Sequence, residues 1–219
     1  MKYKLVCFDI DGTLISDDRQ NYWGTLHQEI EGEEEGTRIE EKFHAAFKAG
    51  EITYKDWVDS DIRGFQKAGA TKEEFLRAAR RHTLHPGARE AVHELKRRGY
   101  KLAVISGSLN VLIETLFPDH PFDDIFTNLI SFDEDGRIAS WRDTVFDQGG
   151  KHKALHAICK REGIPLAETV FVGDGENDID ILQEAGLGIA FCPKSEKVSK
   201  AADVVVTKKD VREILKYLE

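Results

Sequence analysis

Five short apolar runs constrain this chain more than any other feature. They lie at residues 5–8, 101–105, 170–172, 188–191 and 204–206. Each is continuous rather than alternating, the pattern of a parallel strand covered on both faces. Amphipathic patterns lie between and after them. Ala88, Val92 and Leu95 lead to a stop at Gly99, and Leu155, Ile158 and Cys159 lead to Gly163 ahead of Pro165. Ile179, Ile181 and Leu182 mark a third, and Val211, Ile214, Leu215 and Leu218 a fourth. Strand and helix alternate, which predicts an α/β fold built on a doubly wound parallel sheet. Ligands of such sheets bind beyond the carboxyl ends of the strands.

Two regions break the alternation. Residues 15–84 show no strand pattern. They hold an acidic stretch at 29–41, then helical patterns around Phe43 and Phe47, around Trp57, Val58 and Ile62, and at Phe75 and Leu76. This reads as a helical insert folded over the end of the first strand. It leaves a discontinuous core of residues 1–14 and 85–219. Within the insert, Glu31-Gly32-Glu33-Glu34-Glu35-Gly36 reads as a solvated turn. The second break is a β-hairpin: residues 127–132, a turn at Asp133-Glu134-Asp135-Gly136, and residues 137–143.

Charge excludes one class of partner. The net charge is −9 and no basic stripe is present, so the chain is not built to neutralise nucleic-acid phosphates. No apolar stretch approaches the ~20 residues of a membrane span, and the N-terminus runs into a strand without a signal-peptide pattern. Cys7, Cys159 and Cys192 are odd in number and widely spaced, which predicts reduced, mostly buried thiols in a cytoplasmic protein.

The chemistry concentrates where strands end. Asp9-Ile10-Asp11-Gly12-Thr13 follows the first run, and Gly173-Asp174-Gly175-Glu176-Asn177-Asp178 follows the third. Carboxylates at this density repel one another unless a cation or a proton holds them together. Brought together, the two loops would make an oxygen-lined site suited to Mg²⁺. Asp9 and Asp11, two residues apart, can divide labour between attack and proton transfer. Ser106-Gly107-Ser108 follows the second run and offers a hydroxyl and backbone N–H groups to an anion, although Ser106 alone also suits helix capping. Lys151 follows Gly149-Gly150 at a helix start, where a cation opposes the helix dipole and so points to an anionic partner. Asp178 also suits helix capping. His82, His85, His152 and His156 read as surface histidines rather than a zinc site.

In this order the four elements resemble those of the haloacid-dehalogenase superfamily of phosphohydrolases, most closely its phosphoserine phosphatase branch. The similarity extends through residues 161–164, 189–192 and 212–218 and covers nearly the whole core. It implies a Rossmann-like core, a small helical cap made by residues 15–84, and a hairpin flap. It implies a Mg²⁺-dependent phosphomonoesterase acting on a small phosphorylated metabolite through an aspartyl-phosphate; the alternatives are a phosphatase of the same fold for a different small substrate (a sugar, alcohol or nucleotide phosphate), a phosphotransferase, a phosphoacceptor signalling module and an inactive binding or scaffold protein. By the same resemblance Asp9 is the nucleophile and Asp11 the proton donor and acceptor. The metal is held by Asp9, Asp174 and the Asp11 carbonyl. Ser106, Gly107, Lys151 and Asn177 bind phosphate or substrate, with Thr13 and Asp178 in support. The expected assembly is a monomer or a homodimer. The chain departs from the phosphoserine pattern in the cap. Asp18 stands near a Glu that would meet the substrate ammonium, and Asp61 near an Arg that would meet its carboxylate. An acid at Asp61 would repel a carboxylate, with Arg63 or Arg19 as substitutes. Trp23, Phe43, Phe47 and Trp57 either line a cap pocket or pack between cap helices.

Overall fold

The computed structural model describes residues 2–17, 20–147 and 149–218. Strands β1 (Leu5–Phe8), β2 (Ile15–Ser16), β3 (Thr83–Leu84), β4 (Lys101–Leu109), β5 (Asp124–Phe132), β6 (Ile138–Arg142), β7 (Thr169–Gly173), β8 (Leu187–Phe191) and β9 (Val204–Val206) carry the framework. Helices α1 (Tyr22–Glu31), α2 (Glu33–Lys48), α3 (Tyr54–Lys67) and α4 (Lys72–Arg80) form the insert. Helices α5 (Ala88–Arg97), α6 (Asn110–Leu116), α7 (Lys151–Glu162), α8 (Ile179–Glu184) and α9 (Glu196–Ala201) flank the sheet.

The main sheet has the order β6-β5-β4-β1-β7-β8-β9. Every neighbouring pair is parallel except β5–β6, the expected hairpin. Without β6 this is the order of a doubly wound sheet, whose direction of winding reverses between β1 and β7. Register then sets the site. Phe8 pairs with Val104 on one side and Val172 on the other, so the chain leaves β1 level with both neighbours. Alternate residues of β1 enter different cores. Val6 and Phe8 join one apolar cluster, while Leu5 and Cys7 join the other with Leu155, Ile158 and Phe171. Both faces are covered, which is why the run is continuous rather than alternating. The first cluster continues into the insert through Tyr22, Leu26, Ile62, Phe65 and Phe75, so insert and sheet share buried apolar surface.

Three expectations change. Residues 15–84 do contain strand: β2 and β3 pair antiparallel, Ile15 with Leu84 and Ser16 with Thr83, tying the entry of the insert to its exit. The acidic segment around Gly32 is a helix junction rather than a loose turn. α1 ends at Glu31, and Glu33, Glu34 and Glu35 form the first turn of α2, where carboxylates favour the helix dipole. The last amphipathic pattern forms a 3₁₀ run, Val211–Tyr217, rather than an α-helix.

Gly36 sets how closely α1 and α2 approach. A Cβ there would lie 2.5 Å from the His27 carbonyl carbon and oxygen, which are backbone and cannot swing away. Gly36→Ala should therefore destabilise the protein by about 1–3 kcal/mol, lowering the melting temperature by ~2–4 °C per kcal/mol. An unchanged melting temperature would contradict this packing.

Candidate active site

Asp9 leaves β1 with its N–H donated to the Val172 carbonyl at 3.0 Å. The chain then turns tightly: Gly12 N donates to Ile15 O at 2.7 Å and Ile15 N to Ile10 O at 2.9 Å. Gly12 has φ +84°, and a Cβ on it would fall 2.1 Å from Asp174 Oδ2. No side chain fits, so glycine is what lets the two acidic loops touch. Thr13 completes the contact, its hydroxyl donating to Asp174 Oδ1 at 2.9 Å.

Lys151 opens α7 and is 1% exposed. Its Nζ lies 2.7 Å from Asp178 Oδ1, 3.0 Å from Asp9 Oδ1 and 3.7 Å from Asp147 Oδ1. Burial alone would discharge this ammonium. The charges of Asp178, Asp9 and Asp147 outweigh it and hold the pKa well above the usual lysine value. Lysine at an unfavourable helix terminus is thus explained by carboxylates already in the protein. Asp178 uses its other oxygen to accept from the N–H groups of Asp174 and Gly175, both at 3.0 Å. It makes no cap bond to α8 itself, but by accepting from Gly175 N it caps the 3₁₀ turn Glu176–Asp178 that leads into α8, and it ties the second loop to Lys151.

Asp9, Asp174 and Asp178 each place an oxygen within 4.8 Å of the others. The oxygens of Asp178 are already bonded. Asp9 Oδ1 and Asp174 Oδ2 are buried, and each faces an ammonium group, Lys151 at 3.0 Å and Lys194 at 2.9 Å. Burial pushes the Asp174 carboxyl up, and Lys194 opposes that shift. Two buried hard oxygens in need of positive charge fit a divalent cation such as Mg²⁺. Asp11 faces another way. Its Oδ1 accepts from Tyr22 N at 3.2 Å. Burial, then the Asp9 charge, raises its pKa to about 6, so both of its protonation states are accessible near neutrality.

Ser106, Gly107 and Ser108 sit in an irregular extension of β4, past a register shift after Ile105, and not at the turn into the next helix. Ser106 therefore caps no helix; its Oγ accepts from Ser108 N at 3.2 Å. A Cβ on Gly107 would lie 2.3 Å from Asp147 Oδ2, and Asn177 donates to Asp147 Oδ1 at 2.9 Å. Asp147 thus links Ser106-Gly107-Ser108, Lys151 and Asn177. Above these groups is a cavity of about 440 Å³, floored by Asp9, Asp11, Ser106 and Asp174.

The insert supplies the roof. Trp23, Tyr54 and Trp57 line it, and His44 and Lys48 complete the roof. Phe47 stacks on Trp57 at 5.4 Å between ring centroids, and Phe43 does not reach the cavity. Asp61 lines the cavity, but its Oδ1 lies 3.2 Å from His27 Nε2, and Glu31 holds His27 Nδ1 at 2.7 Å. Burial disfavours a charged His27, yet the nearby carboxylates of Asp61 and Glu31 raise its pKa, so Asp61 has a neighbour that offsets its repulsion of an anion. Arg63 does not substitute: it is exposed, 3.9 Å from Asp59 and stacked over Trp141. Asp18 and Arg19 lie outside the described residues.

Two site residues escaped the motif reading. Asp147 stands four residues before Lys151, a spacing that itself suggests a pair. Lys194 follows β8 and bonds Asp174 Oδ2 at 2.9 Å while pairing with Asp17; its place beyond a strand end was the available signal. His82 and His85 are buried rather than on the surface. His82 Nε2 meets the Thr25 hydroxyl at 2.9 Å and His85 packs edge-on against Phe191. Among the described residues the aspartate trio is the metal-compatible cluster, and neither histidine pair forms one. No helix among them is long and apolar enough to cross a membrane.

Known proteins are similar to this chain in sequence and fold. A family model of haloacid dehalogenase-like hydrolases matches residues 3–186. The chain is 33% identical over 218 residues to a phosphoserine phosphatase of Methanocaldococcus jannaschii, covering 100% of this chain and 99% of that protein. It is 33% identical over 193 residues to a phosphoserine phosphatase of Streptomyces coelicolor, covering 87% of this chain and 44% of that longer relative. A solved structure described as a phospho-aspartyl intermediate analogue of phosphoserine phosphatase superposes with a TM-score of 0.77 at 32% identity, covering 100% of each chain. The family match runs from β1 through the second acidic loop, and the first relative aligns from end to end; the chain therefore belongs to the haloacid dehalogenase-like hydrolases, as a phosphoserine phosphatase-like member.

Proposed function

We propose that the chain is a Mg²⁺-dependent phosphomonoesterase that hydrolyses a small phosphorylated metabolite through an aspartyl-phosphate. The observation that carries this reading is the setting of Asp9, a buried carboxylate between the Lys151 ammonium and Asp174 beneath the cavity. A carboxylate is a weak nucleophile towards a dianion unless cations offset the repulsion.

In the proposed reaction Asp9 attacks phosphorus while the bond to the leaving oxygen breaks. Lys151 and the Ser106 hydroxyl hold the non-bridging oxygens. Asp11, in its protonated form, gives its proton to the leaving alkoxide. Water then attacks the aspartyl-phosphate, Asp11 takes a proton from it, inorganic phosphate departs and Asp9 is regenerated. Asn177 and Gly107 shape the cradle from the Asp147 side, and Thr13 and Asp178 hold Asp174 and Lys151 in place. Asp9, Asp174 and the backbone carbonyl of Asp11 would hold the Mg²⁺, which supplies charge neutralisation at the phosphoryl group. Residues 15–84 act as the cap over a core of 1–14 and 85–219. The end-to-end similarity to a phosphoserine phosphatase puts phosphoserine first among candidate substrates.

Asp9→Asn should lower hydrolysis of p-nitrophenyl phosphate on the order of a thousandfold or more with a near-unchanged melting temperature. Full activity in this variant would overturn the mechanism. Chelation of divalent ions should abolish turnover and added Mg²⁺ should restore it; turnover that persists in excess chelator would rule out the metal. A panel of small phosphomonoesters headed by phosphoserine should yield at least one substrate, and turnover of none would exclude the assignment.

A further inference from the structure

The carbonyl oxygen of Gly107 collects donors from three elements. Trp23 Nε1 of α1 donates to it at 2.9 Å, Asn128 Nδ2 of β5 at 2.6 Å, and the Tyr54 hydroxyl of α3 at 3.3 Å. Asn128 also donates to the Tyr54 oxygen at 2.7 Å, and its own Oδ1 accepts from Thr144 N at 2.7 Å. Two of the three donors belong to the cap. Burial, with Asp147 adding to it, raises the Tyr54 phenol well above its usual pKa, so it stays protonated and able to donate.

This grip reaches the phosphate cradle through one rigid unit. The peptide between Gly107 and Ser108 is trans, so its C=O and N–H point in opposite directions within one plane. Holding the oxygen therefore aims the Ser108 N–H. That N–H donates to Ser106 Oγ. A serine hydroxyl that accepts such a bond keeps its own proton to donate elsewhere.

We infer that Trp23 and Tyr54 are positioning residues: by gripping the Gly107 carbonyl when the cap is seated, they turn the Ser106 hydroxyl into a directed donor for a phosphoryl oxygen. The inference rests on the role given to Ser106 in the proposed function and adds a physical link between cap closure and chemistry. With the cap lifted, the peptide keeps only the core donor Asn128, and the hydroxyl loses its fixed direction. The cradle is then complete only when the cap is seated.

Trp23→Phe and Tyr54→Phe each keep a ring and remove one donor, and a cycle with Ser106→Ala tests the coupling. With p-nitrophenyl phosphate and Mg²⁺, each cap variant should lower kcat about fivefold, the effect of one hydrogen bond, with little change in KM. In the Ser106→Ala background the same substitutions should have no further effect, because their route to the phosphoryl group is gone. Equal fold-losses in both backgrounds, with Ser106→Ala itself impaired, would overturn the inference alone and assign the two rings to cap packing. An unimpaired Ser106→Ala would overturn the role of Ser106 and the inference with it. If Trp23→Phe does not fold, Tyr54→Phe, which loses a single oxygen atom, completes the cycle.

Discussion

The Lys151 ammonium is buried at the start of α7 and surrounded by the carboxylates of Asp178, Asp9 and Asp147. An isolated ion at that depth would cost several kcal/mol, so its carboxylate partners must arrive together and in register. They come from three places: the end of β1, the loop before α7 and the loop after β7. The sheet brings these together because β1 and β7 are neighbours at the reversal of winding, with Phe8 level with Val172. Once Lys151 is compensated the balance still favours negative charge. Asp174 is buried close by, and Asp9 Oδ1 and Asp174 Oδ2, which face Lys151 and Lys194, belong to residues that line the cavity. A site of this kind attracts cations first and phosphoryl groups second, through the cations.

The insert is braced against the core at several places. β2 and β3 bind its two crossings together, and the β5–β6 hairpin reaches up to meet it. Trp141 donates to Asp59 at 2.8 Å, Gln66 to the Ile138 carbonyl at 3.1 Å, and Lys72 N to the Gly136 carbonyl at 2.7 Å. These polar contacts are individually modest, about 1 kcal/mol each. The buried apolar surface beneath α1, α3 and α4 is larger, and it is continuous with one face of the sheet. The cap thus rests on the core at three places: apolar packing, the hairpin, and the Gly107 carbonyl at the cradle itself.

Much of the core was legible because its strands are buried on both faces, which writes an unbroken apolar run into each. The acidic loops were legible because they follow those runs directly; the family resemblance assigned roles to their residues, and the comparisons show the family itself. Other features left no local trace. Two-residue strands such as β2 and β3 have no period to detect. Ser106 looked like a helix turn because a register shift in β4 cannot be read from composition. Asp61 looked repulsive because its partner His27 lies far away in sequence, on another cap helix. His82 and His85 looked superficial for the same reason, their partners Thr25 and Phe191 being brought in by tertiary packing. Lys194 was missed because one lysine after a strand carries no motif until Asp174 is placed beside it.

The central claim is that Asp9, and no other group in the cavity, becomes covalently phosphorylated. Rapid acid quench of the protein during turnover, borohydride reduction of the acyl-phosphate and peptide mass spectrometry would test it most directly. The account predicts that Asp9 alone is converted to homoserine. Reduction at another aspartate, a stable phosphate on Ser106, or steady-state turnover that leaves no reducible residue would contradict it.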